Sequence, residues 1–475
     1  MSETLTASGL TFGYDEKERP VFANLSLSID RGRAVLLMGP SGCGKSSLAL
    51  CLAGLYPEYA GRLSGAVAVG DERADLRDLS PPERVKRVGL LFQNPDDQFC
   101  MGRVDHEIMF ALENVNYRGD IRSRTREALA LCGVPELETA SLATLSAGQK
   151  QKAALAAALA PEPSFLIADE PLANVDPESG RPLAARLKFL VEERGLGLLI
   201  VDHNPGPWRD VAHRVLLMDE NGRLTADIPM TEMERHRELF DGLGISTGAA
   251  FVPRRPPAPL RPGGPTLTIE NLSVRRGRKE TLNLSLSLPF GTLTALTGPN
   301  GGGKTTFLWA LAGLLKTGGR LDTGGRLVGL VFQDPACQFL TTNVLDEIAL
   351  SLKADRKNDS RAALETQALA LLDEFGLADK IHLSPYQLSQ GQRRRLAVLT
   401  ILAGGREILL LDEPTYAQDE RSTRFVMELL AERTRRGATV VMATHDPPLA
   451  DAYAHRVIRL ENGRVASDKN TVANP

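Results

Sequence analysis

The sequence lacks three features that would each point to a particular class of protein: paired cysteines, a long apolar run and an excess of charge of one sign. Its 475 residues include five widely spaced cysteines without a C-x-x-C pair: Cys43, Cys51, Cys100, Cys132 and Cys337. The odd number and the spacing argue against a disulfide framework and a zinc ribbon, and they fit a reducing cytoplasm.

The apolar runs and the charge balance exclude further classes. The longest apolar runs, such as Leu198–Val201 and Ile408–Leu411, are far shorter than the ~20 residues that a membrane span needs. The amino terminus shows no secretory signal, because no basic segment precedes an apolar stretch there. With 56 Lys and Arg against 59 Asp and Glu, a dedicated nucleic-acid binder is not expected. We expect a soluble cytoplasmic protein of about two to four domains.

An internal repeat organises the whole sequence. From Gln93 onward the two copies are offset by 240 to 243 residues, and the interval from lysine to glutamine shortens from 48 residues in the first copy to 29 in the second. The recurring segments are Gly39–Ser46 with Gly298–Thr305, Leu90–Phe99 with Leu330–Phe339, Leu145–Gln149 with Leu388–Gln392, Phe165–Pro171 with Ile408–Pro414, and Val201–His203 with Ala443–His445. One domain has been duplicated, with a trimmed early segment in the second copy.

A proline-rich stretch separates the two copies. Residues 246–265 contain six prolines and a Gly-Gly pair, a composition that cannot continue a helix or a central strand. We therefore predict a first domain at 1–245, a linker at 246–265, a second domain at 266–468 and a polar tail at 469–475.

Strands and helices alternate within each copy. Short apolar runs precede each Gly-rich turn and helical stretches follow it, and uninterrupted apolar runs that end in acids are typical of buried parallel strands. The predicted strands are Ala34–Met38, Phe165–Ala168, Leu198–Val201, Leu293–Thr297, Ile408–Leu411 and Thr439–Ala443, and the predicted helices are Ser47–Leu55 and Thr306–Leu315. This pattern predicts an α/β core with ligands at the carboxyl ends of the strands.

The first pair of recurring segments matches G-x-x-x-x-G-K-[ST], a phosphate-binding loop whose backbone N–H groups surround phosphates at a helix N-terminus. Lys45 and Lys304 would neutralise the β- and γ-phosphates, and Ser46 and Thr305 would ligate Mg²⁺. A Gly-rich turn that happens to precede a helix with a lysine is the alternative, but two matches in the same strand–turn–helix context disfavour it.

Paired acids close one apolar strand in each copy, Asp169-Glu170 and Asp412-Glu413. The first acid is placed to hold the magnesium shell, and the second to orient or deprotonate the attacking water. Such a pair can also be a solvated strand end, but the phosphate loop in the same copy favours the functional interpretation.

Two histidines and two serines recur at matched positions. His203 and His445 follow the next apolar strand, where an imidazole could contact a γ-phosphate. Ser146 and Ser389, in Leu-Ser-x-Gly-Gln, open Ala/Leu-rich helical segments and predict a second anion-binding helix start in each copy. This suggests that the second site of one domain completes the nucleotide site of the other. The remaining histidines are interpreted as structural or solvated: His106, His213, His236, His382 and His455.

The order of these motifs resembles that of ATP-binding-cassette (ABC) ATPases over nearly the whole chain outside the linker. The resemblance implies two tandem P-loop nucleotide-binding domains. Each would have a mainly parallel sheet core, an antiparallel β subdomain and a helical signature subdomain. It also implies a head-to-tail pair of cassettes that binds two ATP molecules with Mg²⁺.

The resemblance also assigns residues to each site. The first site would combine Tyr14, Gly39, Pro40, Ser41, Gly42, Cys43, Gly44, Lys45, Ser46, Ser47, Gln93, Asp169, Glu170 and His203 with Ser389, Gly391, Gln392 and Asp419. The second would combine Gly298, Pro299, Asn300, Gly301, Gly302, Gly303, Lys304, Thr305, Thr306, Gln333, Asp412, Glu413 and His445 with Ser146, Gly148, Gln149 and Asp176. The catalytic residues would be Glu170, Glu413, His203 and His445, and the metal ligands Ser46, Gln93, Asp169, Thr305, Gln333 and Asp412.

A narrower likeness follows each loop glutamine. Gln93–Phe99 resembles the loop of energy-coupling factor (ECF) ATPases, and Gln333–Phe339 is a degenerate version of it. In that family, which imports vitamins, vitamin precursors and transition-metal ions, two ATPases join a transmembrane coupling protein and a membrane substrate-binding protein. The likeness implies a peripheral ATPase on the cytoplasmic side of the membrane, with no nucleic-acid partner. We expect the loop side chains Asp96, Asp97, Gln98, Cys337 and Gln338 to face the coupling protein, with Phe99 and Phe339 adding apolar contact.

Some positions depart from the family pattern. Arg276 stands where the first copy has Tyr14, the position of adenine stacking, while Ala147 and Gln390 replace the usual signature glycine and Gln418 replaces an apolar residue. Because no catalytic group is lost, we predict two competent hydrolytic sites that need not be equal. Two alternatives remain open: the fused ATPase of a sugar-type importer, and a non-transport tandem cassette protein acting on ribosomes or DNA.

Overall fold

The computed structural model describes residues 3–15, 19–70, 75–172, 175, 177–245, 247, 253, 264–277, 279–415 and 420–471. The chain divides into two compact units, 1–248 and 249–475. Most of the predicted linker at 246–265 lies outside the described residues, as do Asp176, Gln418 and Asp419. All five cysteines are free thiols in the structure.

The first unit contains two sheets and a helical layer. Its strands are β1 (Thr4–Gly13), β2 (Phe22–Asp30), β3 (Ala34–Met38), β4 (Arg62–Val69), β5 (Val88–Leu91), β6 (Phe165–Asp169), β7 (Gly197–Val201), β8 (Arg214–Met218) and β9 (Leu224–Pro229). Its helices are α1 (Lys45–Leu52), α2 (Pro81–Arg87), α3 (Val104–Asn114), α4 (Ile121–Leu131), α5 (Ala147–Leu159), α6 (Pro177–Arg194) and α7 (Arg237–Leu243).

The second unit repeats this plan. Its strands are β10 (Thr266–Arg276), β11 (Lys279–Pro289), β12 (Leu293–Thr297), β13 (Thr317–Asp322), β14 (Val328–Val331), β15 (Ile408–Asp412), β16 (Thr439–Ala443), β17 (Arg456–Glu461) and β18 (Arg464–Asn470). Its helices are α8 (Lys304–Leu311), α9 (Val344–Asp355), α10 (Arg361–Glu374), α11 (Gln390–Ala403), α12 (Glu420–Arg435) and α13 (Pro447–Tyr453).

The sheet topology confirms the predicted α/β architecture in both units. In the described part of the first unit, the main sheet has the order β5-β6-β7-β3-β8-β9 and is parallel except for the β8–β9 pair. A separate antiparallel sheet has the order β2-β1-β4. The second unit shows the equivalent orders, β14-β15-β16-β12-β17-β18 and β11-β10-β13.

Hydrophobic packing on both faces explains why the central strands are uninterrupted apolar runs. All five residues of β3 are buried, and successive side chains point to opposite faces of the sheet. Leu36 and Met38 therefore join one core, with the helical layer of α3, α4 and α5, whereas Val35 and Leu37 join the other, beneath the antiparallel sheet. This double burial fixes the carboxyl ends of β3 and β6, where the phosphate loop and the paired acids lie.

Element boundaries differ from the sequence predictions at three places. Helices α1 and α8 begin at the motif lysines, two residues earlier than predicted, and end at Leu52 and Leu311. They end early because Gly54 and Gly313 follow with φ of 73° and 74°, a left-handed conformation that stops a helix. Strand β18 pairs with β17 through Asn470, so it extends two residues into the predicted tail.

The trimmed segment of the second copy has a structural counterpart. In the first unit, α2 lies between β4 and β5, whereas the described residues between β13 and β14 form a short turn without a helix.

Among the described residues of the whole chain, no helix combines the length and the apolar composition that a membrane span requires.

Candidate functional site

The Gly-rich loop of the first unit connects β3 to α1 and is held by its own lysine. Gly44 has φ of 104°, and a Cβ atom there would lie 2.5 Å from Val21 Cγ1, so the loop needs glycine at this position. Lys45 is mostly buried, and its Nζ donates to the carbonyl oxygens of Gly39 and Pro40 at 2.8 and 2.9 Å. The ammonium group thus lies at the Gly-rich loop, which leads into the first backbone N–H groups of α1.

The second unit has the same construction between β12 and α8. Gly303 has φ of 107°, and Lys304 Nζ donates to the carbonyl oxygens of Gly298 and Pro299 at 2.8 and 3.2 Å. Both Gly-rich loops that the sequence predicts to bind phosphate thus have the expected local structure, with a strand before each loop and a helix after it.

The paired acids lie at the ends of β6 and β15. Glu170 and Glu413 have φ of 42° and 53°, a backbone conformation that residues other than glycine seldom adopt and that is common at functional sites. In each unit the glutamate N–H donates to the carbonyl oxygen of the last residue of the adjacent strand. The acceptor is Val201 O in β7 at 2.8 Å, and Ala443 O in β16 at 3.1 Å. This bond fixes the main chain of each glutamate to the neighbouring strand.

In the first unit, the glutamine and the histidine converge on the glutamate. Gln93 Nε2 donates to Glu170 Oε2 at 2.6 Å, and His203 Nδ1 lies 3.6 Å from Glu170 Oε1. Asp202 lies 3.6 Å from the same histidine nitrogen, and its other oxygen accepts from Trp208 Nε1 at 2.7 Å. The structure thus brings together Gln93, Glu170 and His203 as the sequence predicted, and it adds Asp202.

In the second unit, the histidine approaches the glutamate with its other ring nitrogen. His445 Nε2 lies 3.2 Å from Glu413 Oε1, and the His445 backbone N–H donates to Glu413 Oε2 at 3.2 Å. Thr444 occupies the position that corresponds to Asp202 in the first unit. The two candidate sites therefore share the glutamate and the histidine that we predict to be catalytic, but not the arrangement of these groups.

The two sites also differ in the pKa values of their acids and histidines. Burial alone would raise the pKa of Glu170, but its contact with His203 holds that pKa below the ordinary value. Burial would lower the pKa of His203, but the carboxylates of Glu170 and Asp202 raise it to about 9. In the second unit, burial raises the pKa of Glu413 to about 7. The first unit thus favours an ionised glutamate paired with a protonated histidine, whereas Glu413 accepts a proton more readily.

The residues predicted to ligate Mg²⁺ fit that ion. Asp169 Oδ1 and Asp412 Oδ2 are buried and have no hydrogen-bond partner in the structure. The side chains of Ser46 and Thr305 interact with these two carboxylates, and burial raises the pKa of both, that of Asp169 to about 6. Hydroxyl, carboxylate and amide oxygens are the donors that Mg²⁺ prefers, and a buried carboxylate oxygen without a partner suits a cation.

A cavity of about 130 Å³ in the second unit gathers most of the residues predicted there. Its lining residues are Asn300, Gly301, Gly302, Gly303, Lys304, Thr305, Thr306, Gln333, Asp412, Glu413 and His445. The cavity therefore joins the phosphate loop, the glutamine, both acids and the histidine, which lie up to 145 residues apart in the sequence.

Tyr14 lies beside the first phosphate loop. Its hydroxyl forms a 2.8 Å hydrogen bond with Ser47 Oγ, and its half-exposed ring packs edge-on against Phe12 and Tyr56 at centroid distances of 5.0 and 5.9 Å. This arrangement holds the ring next to the start of α1. Adenine stacking by Tyr14 stays a prediction.

The signature serines cap their own helices. Ser146 Oγ accepts from the Gln149 N–H at 3.3 Å, and Gln149 Oε1 accepts from the Ser146 N–H at 3.0 Å. Ser389 and Gln392 form the same capping box at the start of α11. Both helix starts predicted from the sequence are thus present.

Three side chains expected to face a membrane partner point inward instead. Gln98 Nε2 donates to Ala154 O on α5 at 3.1 Å, and Gln338 Nε2 donates to Ala397 O on α11 at 2.9 Å. Phe339 is buried, and its ring packs against Tyr386, while its neighbour Leu340 is 81% exposed. The expectation for Gln98, Gln338 and Phe339 was wrong, because the two glutamines attach each loop to its own signature helix and Phe339 packs into the hydrophobic core.

The sequence interpretation missed one buried residue at the second site. Arg394 on α11 is 1% exposed and donates to the carbonyl oxygens of Glu413 and Gln333, both at 2.8 Å. The sequence does contain a signal for Arg394, because the two copies differ at this position: Gln151 stands at the matching place in the first signature helix.

Comparison with known proteins agrees with this geometry. The model of the family described as "ABC transporter" matches residues 22–173 and 281–416, so it covers most of both units. The chain belongs to the ABC transporter family. Each unit is therefore an ABC cassette, the two cassettes occur in tandem in one chain, and the chain is an ATPase.

Relatives extend the match beyond the family model. The "Putative HMP/thiamine import ATP-binding protein YkoD" of Bacillus subtilis is 37% identical over 98% of this chain and 91% of its own length. A "Putative ABC transporter ATP-binding protein" of Methanosarcina mazei is 32% identical over 97% of this chain and 93% of its own length. A solved structure titled "RNase-L Inhibitor", at 20% identity, superposes with a TM-score of 0.67 over 98% of this chain and 90% of that one, which shows a shared fold.

Proposed function

We propose that this tandem ABC ATPase energises an ECF-type importer of a vitamin, a vitamin precursor or a transition-metal ion. The observation that carries the proposal is the loop after Gln93, in which Asn94 caps a short turn and the acidic side chains of Asp96 and Asp97 are exposed. This Gln-Asn-Pro-Asp-Asp-Gln sequence resembles the loop of ECF ATPases. The printed name of the Bacillus subtilis relative, which refers to HMP/thiamine import, supports the same class of substrate.

In this proposal the protein's own groups divide the work at each site. Backbone N–H groups at the start of α1 and α8 bind the phosphates, and Lys45 and Lys304 move from their loop carbonyls to the phosphate oxygens. Glu170 and Glu413 orient the attacking water and accept its proton, and His203 and His445 hold these carboxylates in place. Ser46, Gln93 and Asp169, with Thr305, Gln333 and Asp412, would hold Mg²⁺, which neutralises phosphate charge when bound.

The pairing of the cassettes is a further part of the proposal, and it rests on the family resemblance. The signature residues Ser389 and Gly391 would complete the nucleotide site that contains Lys45, and Ser146 and Gly148 would complete the other. Cysteine pairs introduced at Ser41 with Ser389, and at Asn300 with Ser146, should cross-link within one chain when ATP is present. The absence of any intrachain cross-link with ATP would contradict this pairing.

The importer proposal places the protein on the cytoplasmic face of the membrane, bound to a transmembrane coupling protein and, through it, to a membrane substrate-binding protein. It is tested by purifying the tagged chain from cells in mild detergent and identifying the integral membrane proteins bound to it. A coupling protein together with a small membrane protein supports the proposal. A transmembrane pair typical of a sugar importer, or sedimentation with ribosomes, would instead support one of the alternatives.

A further inference from the structure

We propose that Arg394 is a positioning residue for ATP hydrolysis in the second cassette. It fixes the peptide groups of Gln333 and Glu413 relative to each other, and so holds their side chains at the same cavity. The inference rests on the ATPase activity of the family and does not depend on the importer proposal.

The Arg394 guanidinium group bridges two loops. Nη1 donates to the Glu413 carbonyl oxygen and Nη2 to the Gln333 carbonyl oxygen, both at 2.8 Å. These carbonyls belong to segments that are 19 and 61 residues away from the arginine in the sequence. A planar guanidinium bonds the two carbonyls through two separate nitrogens in fixed geometry, whereas an ammonium group or an amide offers a single nitrogen.

The backbone at Glu413 needs such support. Its φ of 53° lies in the left-handed region, which a glutamate adopts only where the surrounding structure imposes it. A charge-assisted hydrogen bond to the carbonyl of this residue, made by a side chain that is 1% exposed, stabilises that conformation. The direction of the Glu413 side chain depends on the same conformation.

The first cassette positions its glutamate differently. Gln151 occupies the place of Arg394, and its Nε2 reaches Phe92 O at 3.4 Å, a longer and neutral hydrogen bond. There, the Glu170 side chain accepts directly from Gln93 Nε2 at 2.6 Å. Both carboxylates also lie close to a histidine, but Arg394 anchors the main chain of Glu413 and Gln333 only in the second cassette.

The test uses the full chain carrying Glu170→Gln, so that the remaining hydrolysis comes from the second cassette. Arg394→Gln installs the residue of the first cassette, and Arg394→Lys keeps the charge without the guanidinium bridge. Arg395→Gln is the matched control, because Arg395 is the next residue of the same helix and its Nη1 donates to Phe375 O at 3.0 Å. For each variant, kcat, KM, binding of a fluorescent ATP analogue and the unfolding temperature are measured.

We expect Arg394→Gln to lower kcat by roughly 10- to 100-fold, the scale of a misplaced catalytic group, with nucleotide affinity changed less than about threefold. Arg394→Lys should recover part of the loss, and Arg395→Gln should leave kcat within about twofold. A folded Arg394→Gln protein with unchanged kcat would overturn the inference, as would equal losses in Arg394→Gln and Arg395→Gln. If Arg394→Gln does not fold, Arg394→Lys decides: parental kcat in that variant also overturns the inference.

Discussion

Lys150 and Asp96 form an ion pair that joins the first signature helix to the loop after Gln93. Lys150 Nζ lies 2.6 Å from Asp96 Oδ1 and 2.8 Å from Oδ2, and Lys150 directly follows the capping box of α5. The loop that we propose to contact a membrane partner is therefore in electrostatic contact with α5, the helix capped by Ser146.

The acidic loop gives the first prediction. Replacing Asp96 and Asp97 with lysine should abolish co-purification with the membrane partner or uncouple transport from hydrolysis, while folding and basal ATPase activity stay nearly intact. Because Asp96 also binds Lys150, the control is Lys150→Met, which breaks the internal pair and leaves both acids in place. A double-lysine protein that assembles and transports normally would remove the coupling role from this loop.

The paired glutamates give the second prediction. Glu170→Gln and Glu413→Gln should each retain ATP binding and slow hydrolysis, since losing a positioned base costs on the order of 10²–10⁴ in rate. The double variant should accumulate in an ATP-bound state, detectable by nucleotide retention after gel filtration. ATP turnover at the parental rate in the double variant would show that these residues are not the catalytic bases.

The third prediction follows from the difference between Tyr14 in the first copy and Arg276 at the matching position of the second. Tyr14→Ala should weaken ATP binding at the first site by about 1–2 kcal/mol, the scale of a lost aromatic stacking contact, and Arg276→Ala should have a smaller effect. Tyr14→Phe separates the ring from the hydroxyl, which bonds to Ser47. It should bind ATP nearly as the parent does. Equal effects of Tyr14→Ala and Arg276→Ala in a fluorescent-nucleotide titration would exclude this asymmetry.

A matched pair of histidines gives a pH prediction. His213 Nδ1 accepts from the Ala34 N–H at 3.1 Å, and His455 Nδ1 accepts from the Leu293 N–H at 3.0 Å, so each neutral ring holds the first residue of a central strand. Burial lowers the pKa of both histidines below the ordinary 6.5. The unfolded chain therefore binds protons more readily than the folded one, and stability should be full above pH 6.5 and fall as the pH is lowered through the folded-state pKa values.

Urea unfolding at pH 8 and pH 5.5 measures this effect. The parent should lose more free energy of unfolding between the two values than His455→Gln, which cannot be protonated. The same loss in both proteins would assign the acid sensitivity to other groups.

Much of each site could be predicted because its signals are local. The phosphate loops and the acids that end β6 and β15 lie within single short segments whose glycine spacing or apolar runs define them. The orientation of Gln98 was not predictable in this way, since it depends on the carbonyl of Ala154, 56 residues away on α5. Arg394 was missed for the same reason: three consecutive arginines look like a solvated face until the fold places one of them between two distant carbonyls.

The claim that this tandem ATPase drives import is tested most directly by solute uptake in cells that lack the chain. Accumulation of radiolabelled thiamine, HMP and transition-metal ions is compared between cells carrying the parental chain and cells carrying the Glu170→Gln, Glu413→Gln double variant. The account predicts that the uptake of one solute is restored by the parent and not by the double variant. Uptake of every tested solute at the same rate with the parent, the double variant and no chain would contradict it.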